Sequence, residues 1–70
     1  MSSDKKSIIS INIKKHRAKK GLSQDKLSKL ADVSFNTITK IESGATPNPT
    51  IDTVRKIADA LGASLDDLMR

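Results

Sequence analysis

The chain has 70 residues and a formal net charge of +5, with thirteen Lys or Arg residues against eight Asp or Glu. It contains no Cys and a single His, which excludes disulfides and thiolate metal sites and argues against a zinc site. There is room for one small domain and neither a membrane-spanning run nor the apolar segment of a signal peptide, so we expect a cytoplasmic protein with no membrane partner, metal or other cofactor.

The positive charge is concentrated near the N-terminus. Residues 1–20 carry seven Lys or Arg against Asp4, whereas residues 21–50 carry three charges of each sign. Residues 1–7 are polar after Met1 and predict a flexible tail, which leaves a domain at residues 8–70. A basic segment of this kind serves either solubility or an anionic partner, and charge alone does not separate the two.

The segment from Ile8 to Gly21 is compatible with two structures. Its β-branched residues alternate in part, as they would in a short strand. We prefer a helix, because an i, i+4 stripe runs through Ile9, Ile13, His16 or Arg17, and Lys20. Gly21 then supplies the left-handed residue that follows a helix, and two lysines lie near the negative end of the helix dipole.

Residues 24–42 predict two short helices joined by a tight turn, which is a helix-turn-helix. In the first helix Leu27, Leu30 and Ala31 share one face, and Ser23 is placed to cap the N-terminus. A single amphipathic helix would be an ordinary surface helix. Two of them separated by this turn favour a binding motif.

The second helix of the pair extends from Phe35 to Ser43, with Ser34 as its cap. Ile38, Ile41 and Glu42 lie on the face that packs. The outward arc offers an amide, hydroxyls, one cation and one aromatic ring, a set suited to base edges and phosphates in a DNA major groove. Its members are Phe35, Asn36, Thr39, Lys40 and Ser43.

A stiff loop with two prolines follows Gly44. Thr50 and Ser64 are the expected caps of two further helices, at 51–61 and 65–69. The predicted fold class is all-α, with five short helices and a central helix-turn-helix. The predicted core consists of the apolar residues on the inner faces: Ile9, Ile13, Leu22, Leu27, Leu30, Ala31, Val33, Ile38, Ile41, Ile51, Val54, Ile57, Ala58, Leu61, Leu65 and Leu68.

Several short motifs occur together around the predicted helix-turn-helix. They are Leu22-Ser23-Gln24, Ile38 with Ile41-Glu42-Ser43-Gly44, Pro49-Thr50-Ile51 and Ala60-Leu61-Gly62. On these motifs, about two thirds of the chain resembles the XRE family of lambda-repressor-like helix-turn-helix domains.

The resemblance implies roles for individual residues. Base reading in the major groove falls to Phe35, Asn36, Thr39 and Lys40. Gln24 would anchor the phosphate backbone and brace the second motif helix. Ser34, Ser43, Thr46, Asn48 and Lys19 complete the set of expected phosphate contacts. Arg17 and Glu42 would form a structural ion pair between the first and third helices.

The chain departs from the family pattern at two positions. Asp32 occupies the motif turn where Gly is usual, and Asp tolerates left-handed geometry better than most residues. His16 occupies a place where an apolar residue is usual, so it is either a partly buried imidazole or a sign that the first helix is rotated. The ring of Phe35 would either contact a thymine methyl or fold back on the preceding helix.

We therefore expect a sequence-specific transcription regulator, a repressor that binds double-stranded DNA at an inverted repeat as a homodimer. The dimer surface is expected at Leu65, Leu68 and Met69, unless the last helix simply packs on the core. The other candidate is an antitoxin or adaptor-type protein-interaction module, which would be expected to carry a long additional segment. No nucleophile has a paired base and no small-molecule site is evident, so an enzyme is not expected.

Overall fold

The computed structural model describes residues 7–46 and 48–70. Over these residues the chain is all-α, with five helices and no strand, as predicted. The helices are α1 (Ile8–Lys19), α2 (Gln24–Ala31), α3 (Phe35–Ser43), α4 (Ile51–Leu61) and α5 (Leu65–Met69). Residues 1–6 of the predicted tail, which was assigned to residues 1–7, and the loop residue Pro47 lie outside the described residues.

Every helix begins at a hydroxyl side chain. In each case the side-chain oxygen accepts the backbone N–H of the third residue along, which satisfies one donor that the first turn leaves open. The caps are Ser7, Ser23, Ser34, Thr50 and Ser64. Four of them were predicted. Ser7 was assigned to the tail, and the structure shows instead that it fixes the start of α1.

Helices α1 to α4 are each followed, within two residues, by a residue with left-handed backbone geometry. Gly21, Gly44 and Gly62 have φ of 68°, 89° and 68°, so the predicted role of glycine after each helix is confirmed. Asp32 ends α2 with φ 58° and ψ 44°, and among the described non-glycine residues only Asp32 has a positive φ. Its carboxylate also lies at the negative end of the α2 dipole.

Replacement of Asp32 is expected to stabilise the domain. Asp32→Gly removes the left-handed strain and the unfavourable charge, and should raise the free energy of unfolding by roughly 0.5–1 kcal/mol. Asp32→Asn removes the charge alone and should therefore raise the free energy of unfolding by a smaller amount. Urea unfolding of wild type, Asp32→Gly and Asp32→Asn separates the contribution of the backbone strain from that of the charge. A Gly variant less stable than wild type would show that the Asp side chain itself stabilises the turn.

The core lies between the five helices: α4 packs against α1 and α2, α3 packs against α1 and α2, and α5 packs against α1 and α4. Its fully buried residues are Ile13, Leu27, Ala31, Ile38, Ile41, Val54, Ile57, Ala58, Leu61 and Leu68. Ile9, Leu22, Val33 and Leu65 pack against it in partly buried positions. These fourteen positions were all predicted.

Two of the residues that we predicted in the core are exposed in the structure, so their assignment was wrong. Leu30 is 57% exposed, because the buried strip of α2 is formed by Leu27, Ala31 and Ser28. Ser28 is tolerated there because its hydroxyl donates to the carbonyl of Asp25 at 2.6 Å. Ile51 is also exposed, since the buried strip of α4 begins one turn later.

The last helix is held by α1 and by its own capping box. The side-chain amide of Asn12 donates to the carbonyl of Leu68 at 3.0 Å, and the Leu68 side chain is fully buried. The expectation that Leu68 lies on a dimer surface is therefore wrong, because its side chain is already part of the chain's own core. Leu65 is partly buried, and Met69 keeps about half of its surface exposed.

Ser64 and Asp67 form the capping box of α5. The backbone N–H of Ser64 donates to Asp67 Oδ2 at 3.0 Å, and hydrogen bonding from Ser64 lowers the pKa of Asp67 below its ordinary value. A lowered folded-state pKa stabilises the fold above the unfolded-state pKa, which is about 4. This stabilisation is lost as the pH falls through the folded-state value.

We therefore expect Asp67→Asn to be less stable than wild type near neutral pH and equally stable in acid. Urea unfolding from about pH 7 down to about pH 3 follows the difference between the two proteins. Asp66→Asn is the matched control, because Asp66 pairs with Arg70 and takes no part in the capping box. Equal acid sensitivity in wild type and Asp67→Asn would contradict this role.

Candidate nucleic-acid interface

Helix α3 is anchored by one face and leaves the opposite face open. Ile38, Ile41 and Glu42 are buried against α1 and α2. The predicted packing face of α3 is confirmed. Because an α-helix turns about 100° per residue, the remaining side chains form a continuous arc that the core does not use. This arc is available for a partner.

A buried carboxylate ties three helices together below that arc. Glu42 is 3% exposed and accepts two hydrogen bonds from Arg17, from Nε to Oε2 at 2.7 Å and from Nη2 to Oε1 at 3.0 Å. Gln24 Nε2 donates to the same Oε1 at 2.9 Å. Arg17 Nη1 also donates to the carbonyl of Leu22 at 2.7 Å. The cluster fixes the ends of α1 and α3 and the start of α2.

The charges in this cluster are balanced. The hydrogen bonds to Glu42 raise the pKa of Arg17 above its ordinary value, so the guanidinium stays protonated. No buried side-chain polar atom among the described residues lacks a hydrogen-bond partner. A carboxylate with this many donors presents little negative potential to a ligand above it.

The four predicted base-reading residues are brought together on the open arc of α3. Asn36 and Lys40 are exposed, and Thr39 is half-buried. The hydroxyl of Thr39 donates to the carbonyl of Asn36 at 2.9 Å, which leaves its methyl group and oxygen lone pair for a partner. The amide of Asn36 can offer both a donor and an acceptor to a base edge.

Phe35 lies at the edge of the arc, next to the motif turn. Its side chain is 47% exposed and borders a shallow depression shared with Ser28, Asp32 and Val33. The ring therefore covers part of the turn and presents the rest of its surface outward. Both predicted roles of the ring remain compatible with this position.

Two polar grooves border α3. The α1-side groove is lined by Lys14, Gln24, Thr39, Glu42 and Ser43. The loop-side groove lies between α3 and the start of α4, and its polar lining residues are Thr37, Lys40, Thr46, Asn48, Thr50 and Thr53. Each groove contains one lysine.

The predicted phosphate-binding residues are distributed over both grooves and the motif turn. Gln24 and Ser43 line the α1-side groove, and Thr46 and Asn48 line the loop-side groove. Ser34 uses its hydroxyl to cap α3, accepting from the N–H of Thr37 at 3.1 Å. These five predicted phosphate-binding residues therefore all lie around α3.

Lys19 is not brought to the α1-side groove, and Lys14, five residues earlier on α1, lines it instead. Sequence reasoning missed Lys14, together with Ser10, which is buried and donates to the carbonyl of Glu42 at 2.9 Å. A signal for both existed, because Ser10, Lys14 and Arg17 follow i, i+4 and i+7 spacing. The predicted Arg17 therefore marks the face of α1 that meets α3.

Other ligand chemistries find little support in the described parts of the chain. Residues 7–46 and 48–70 contain no group of His, Asp and Glu arranged to hold a metal ion. His16 is half-buried, as the sequence allowed. No helix among these residues is long and apolar enough to span a membrane.

Comparisons with known proteins agree with this geometry. The family model HTH_3, described as helix-turn-helix, matches residues 13–68. A hypothetical transcription factor, NHTF, from Neisseria has a similar structure, with a TM-score of 0.85 and 24% identity over 96% of this chain and 76% of that chain. This likeness shows the fold.

An HTH_3 family transcriptional regulator from Vibrio cholerae is also similar, with a TM-score of 0.84 and 39% identity. The match covers 91% of this chain and 35% of that chain, so the chain spans about a third of the length of the Vibrio protein. No curated protein matches the chain.

Proposed function

The chain belongs to the HTH_3 helix-turn-helix family, which has the fold of DNA-binding transcription regulators, and on that premise we propose that it is a repressor that binds an inverted-repeat operator as a homodimer. Base reading is assigned to the open arc of α3 around Asn36 and Thr39, with Phe35 at its edge. Phosphate contacts from Gln24 and from the two polar grooves set the position of α3 on the duplex.

The observation that carries the proposal is the open arc of α3 above a rigid, charge-balanced cluster. Packing uses Ile38, Ile41 and Glu42, and the side chains with hydrogen-bonding groups suited to base edges all remain on the other side. An α-helix with side chains is about 10–12 Å across and fits a major groove about 12 Å wide. The Glu42 cluster supports a fixed orientation for such a helix.

The small number of base-reading side chains on one copy supports the proposed homodimer. A well-formed side-chain pair with a base is worth about 1–3 kcal/mol of discrimination, so one α3 can specify only a few base pairs. Two copies related by a two-fold axis would read two half-sites about 34 Å apart, and the operator would be an inverted repeat. Of the residues expected at the dimer surface, Met69 has the most apolar area free.

The test is selection of binding sites from a random duplex library, followed by sequencing of the bound pool. We expect an inverted repeat whose half-site centres are about one helical turn apart. Sedimentation of the protein with one selected duplex should give two chains for each site. A single asymmetric half-site with one bound chain would contradict the homodimer, and a pool with no enriched sequence would contradict sequence-specific binding.

Repression is tested separately, by placing the selected site over a promoter that drives a reporter. A small domain that occupies a promoter blocks access to it, so we expect reporter output to fall when the protein is present. A rise in reporter output would instead show that the protein activates transcription. Unchanged output with intact binding would favour the protein-interaction alternative.

A further inference from the structure

We propose that Lys14 on α1 binds a DNA phosphate and that, with Lys40 on the opposite side of α3, it holds α3 between the two strands that border the major groove. The inference rests on the proposed DNA-binding function and deepens it. It adds Lys14 to the interface, and it assigns Lys40 to a phosphate and not to a base edge.

The arrangement of side chains around α3 separates base reading from phosphate binding. At about 100° per residue, Thr39 and Lys40 are about 100° apart around the helix axis. Asn36 lies between them, about 60° from Thr39 and about 40° from Lys40. The centre of the open arc therefore carries an amide, and its two flanks face the two polar grooves.

Lys14 supplies the cation on the α1 side. It lines the same groove as Thr39 and Ser43, so its side chain borders the flank of α3 from a neighbouring helix. No acidic side chain of the described residues forms a salt bridge with Lys14, whereas Lys29 and Lys56 are each paired with an acid four residues earlier. The charge of Lys14 is free for an anion.

The acid in the α1-side groove does not oppose this. Glu42 is the one carboxylate that lines the groove, and its two oxygens already accept three hydrogen bonds from Arg17 and Gln24. Because the charge of the Glu42 carboxylate is balanced, the charge of Lys14 makes the electrostatic potential in the groove positive. An anionic ligand is therefore favoured there.

The dimensions of DNA place phosphates on both sides of α3 at once. A helix about 10–12 Å across nearly fills a major groove about 12 Å wide, so the backbone of each strand lies beside one flank. Lys40 lines the loop-side groove with Thr46 and Asn48. Lys14 and Lys40 are then placed against different strands, and their contributions should be independent.

The experiment compares Lys14→Gln, Lys40→Gln, the double variant and Lys20→Gln on one selected operator and on an unrelated duplex. Lys20→Gln is the matched control, because it removes the same charge from the C-terminal end of the same helix, where Lys20 is the cap residue. Its ammonium nitrogen lies 3.6 Å from where a Cβ of Gly62 would be, at the junction of α4 and α5. Melting temperatures establish that each variant is folded.

The measured quantity is the dependence of the binding constant on salt. Each lost phosphate contact should make the slope of log K against log salt shallower by about 0.9 and weaken binding by about eightfold at 0.1 M salt. We expect this loss once per bound chain for Lys14→Gln and Lys40→Gln on both duplexes, and therefore twice for a bound homodimer. The double variant should show twice the slope change of either single variant, and Lys20→Gln should show little change. A wild-type slope in Lys14→Gln, or a loss confined to the operator, would overturn the inference.

Neutral methylphosphonate groups placed at one phosphate at a time then locate each contact. Wild type should be sensitive at positions on both strands of each half-site. Within one half-site, Lys14→Gln should lose sensitivity on one strand while Lys40→Gln loses it on the other, and the second half-site should show the symmetry-related pattern. Loss at the same phosphate in both variants would contradict the two-strand arrangement while leaving DNA binding intact. Failure of wild type to bind any duplex would instead remove the proposed function itself.

Discussion

Arg17→Ala is expected to lower the free energy of unfolding by about 3–5 kcal/mol, because it removes one partner of a buried ion pair. The reason is the burial of its partner. Glu42 is 3% exposed and Arg17 16% exposed, so truncation of the arginine leaves a desolvated carboxylate with only the Gln24 amide as a side-chain donor. Leu22 also loses a donor to its carbonyl.

The loss is large relative to the whole domain. Seventy residues correspond to roughly 4–10 kcal/mol of total stability, so Arg17→Ala should be partly unfolded at physiological temperature. Urea unfolding at low temperature keeps the measurement within range. The control is the double variant Arg17→Ala with Glu42→Gln, which removes the buried charge as well.

The double variant should recover part of the stability, because a neutral amide costs less to bury than an unpaired carboxylate. Equal stability of Arg17→Ala and the double variant would show that Arg17 acts through its packing and not through its charge. A small loss, below about 1 kcal/mol, would assign the pair to the class of solvent-screened surface bridges.

Helix boundaries were predictable in this chain because the signals that set them are local. A hydroxyl cap needs only the backbone N–H groups of its own first turn, and a glycine after the last turn needs only its own φ. Ser23, Ser34, Thr50 and Ser64 are therefore visible in the sequence. Ser7 was missed because no apolar periodicity begins clearly at Ile8.

The apolar residues of α1 predicted only part of its inward face: Ile9 and Ile13 pack in the core as expected, whereas the buried Ser10 was missed. Ser10 and Ile13 are its buried residues and Arg17 is half-buried, whereas Ile8 and Ile11 are exposed. The face of α1 that meets α3 is polar because it binds Glu42 through a hydroxyl and a guanidinium. A pattern of hydrophobicity carries no information about such a face.

The candidate site was predictable to the extent that it lies on one helix. The open arc of α3 follows from helical periodicity, and its amide, hydroxyl and cation are read directly from the sequence. Lys14 belongs to the same site only because α1 crosses beside α3, and that crossing is a tertiary fact. The loop-side groove likewise depends on how residues 45–46 and 48–50 are placed beside α3, with Thr46 N–H donating to the carbonyl of Lys40 at 3.0 Å.

Asn36→Ala is expected to lose about 1–3 kcal/mol of discrimination at one base pair of each half-site while retaining most of its affinity for unrelated DNA. Asn36 occupies the centre of the open arc, where its amide can donate and accept at one base edge. The measurement is binding of the variant to a library in which each position of the selected operator is changed in turn. The wild-type preference should disappear at one position and its symmetry mate.

Lys40→Ala separates this role from a general loss of binding. Lys40 borders the loop-side groove, so its removal should weaken all members of the library about equally, with a shallower salt dependence. Asn36→Ala should leave the salt dependence as in wild type, because an amide neutralises no phosphate. The two variants thus differ in both the position dependence and the salt dependence of binding. Identical profiles across the library would refute the division of α3 into a base-reading centre and phosphate-binding flanks.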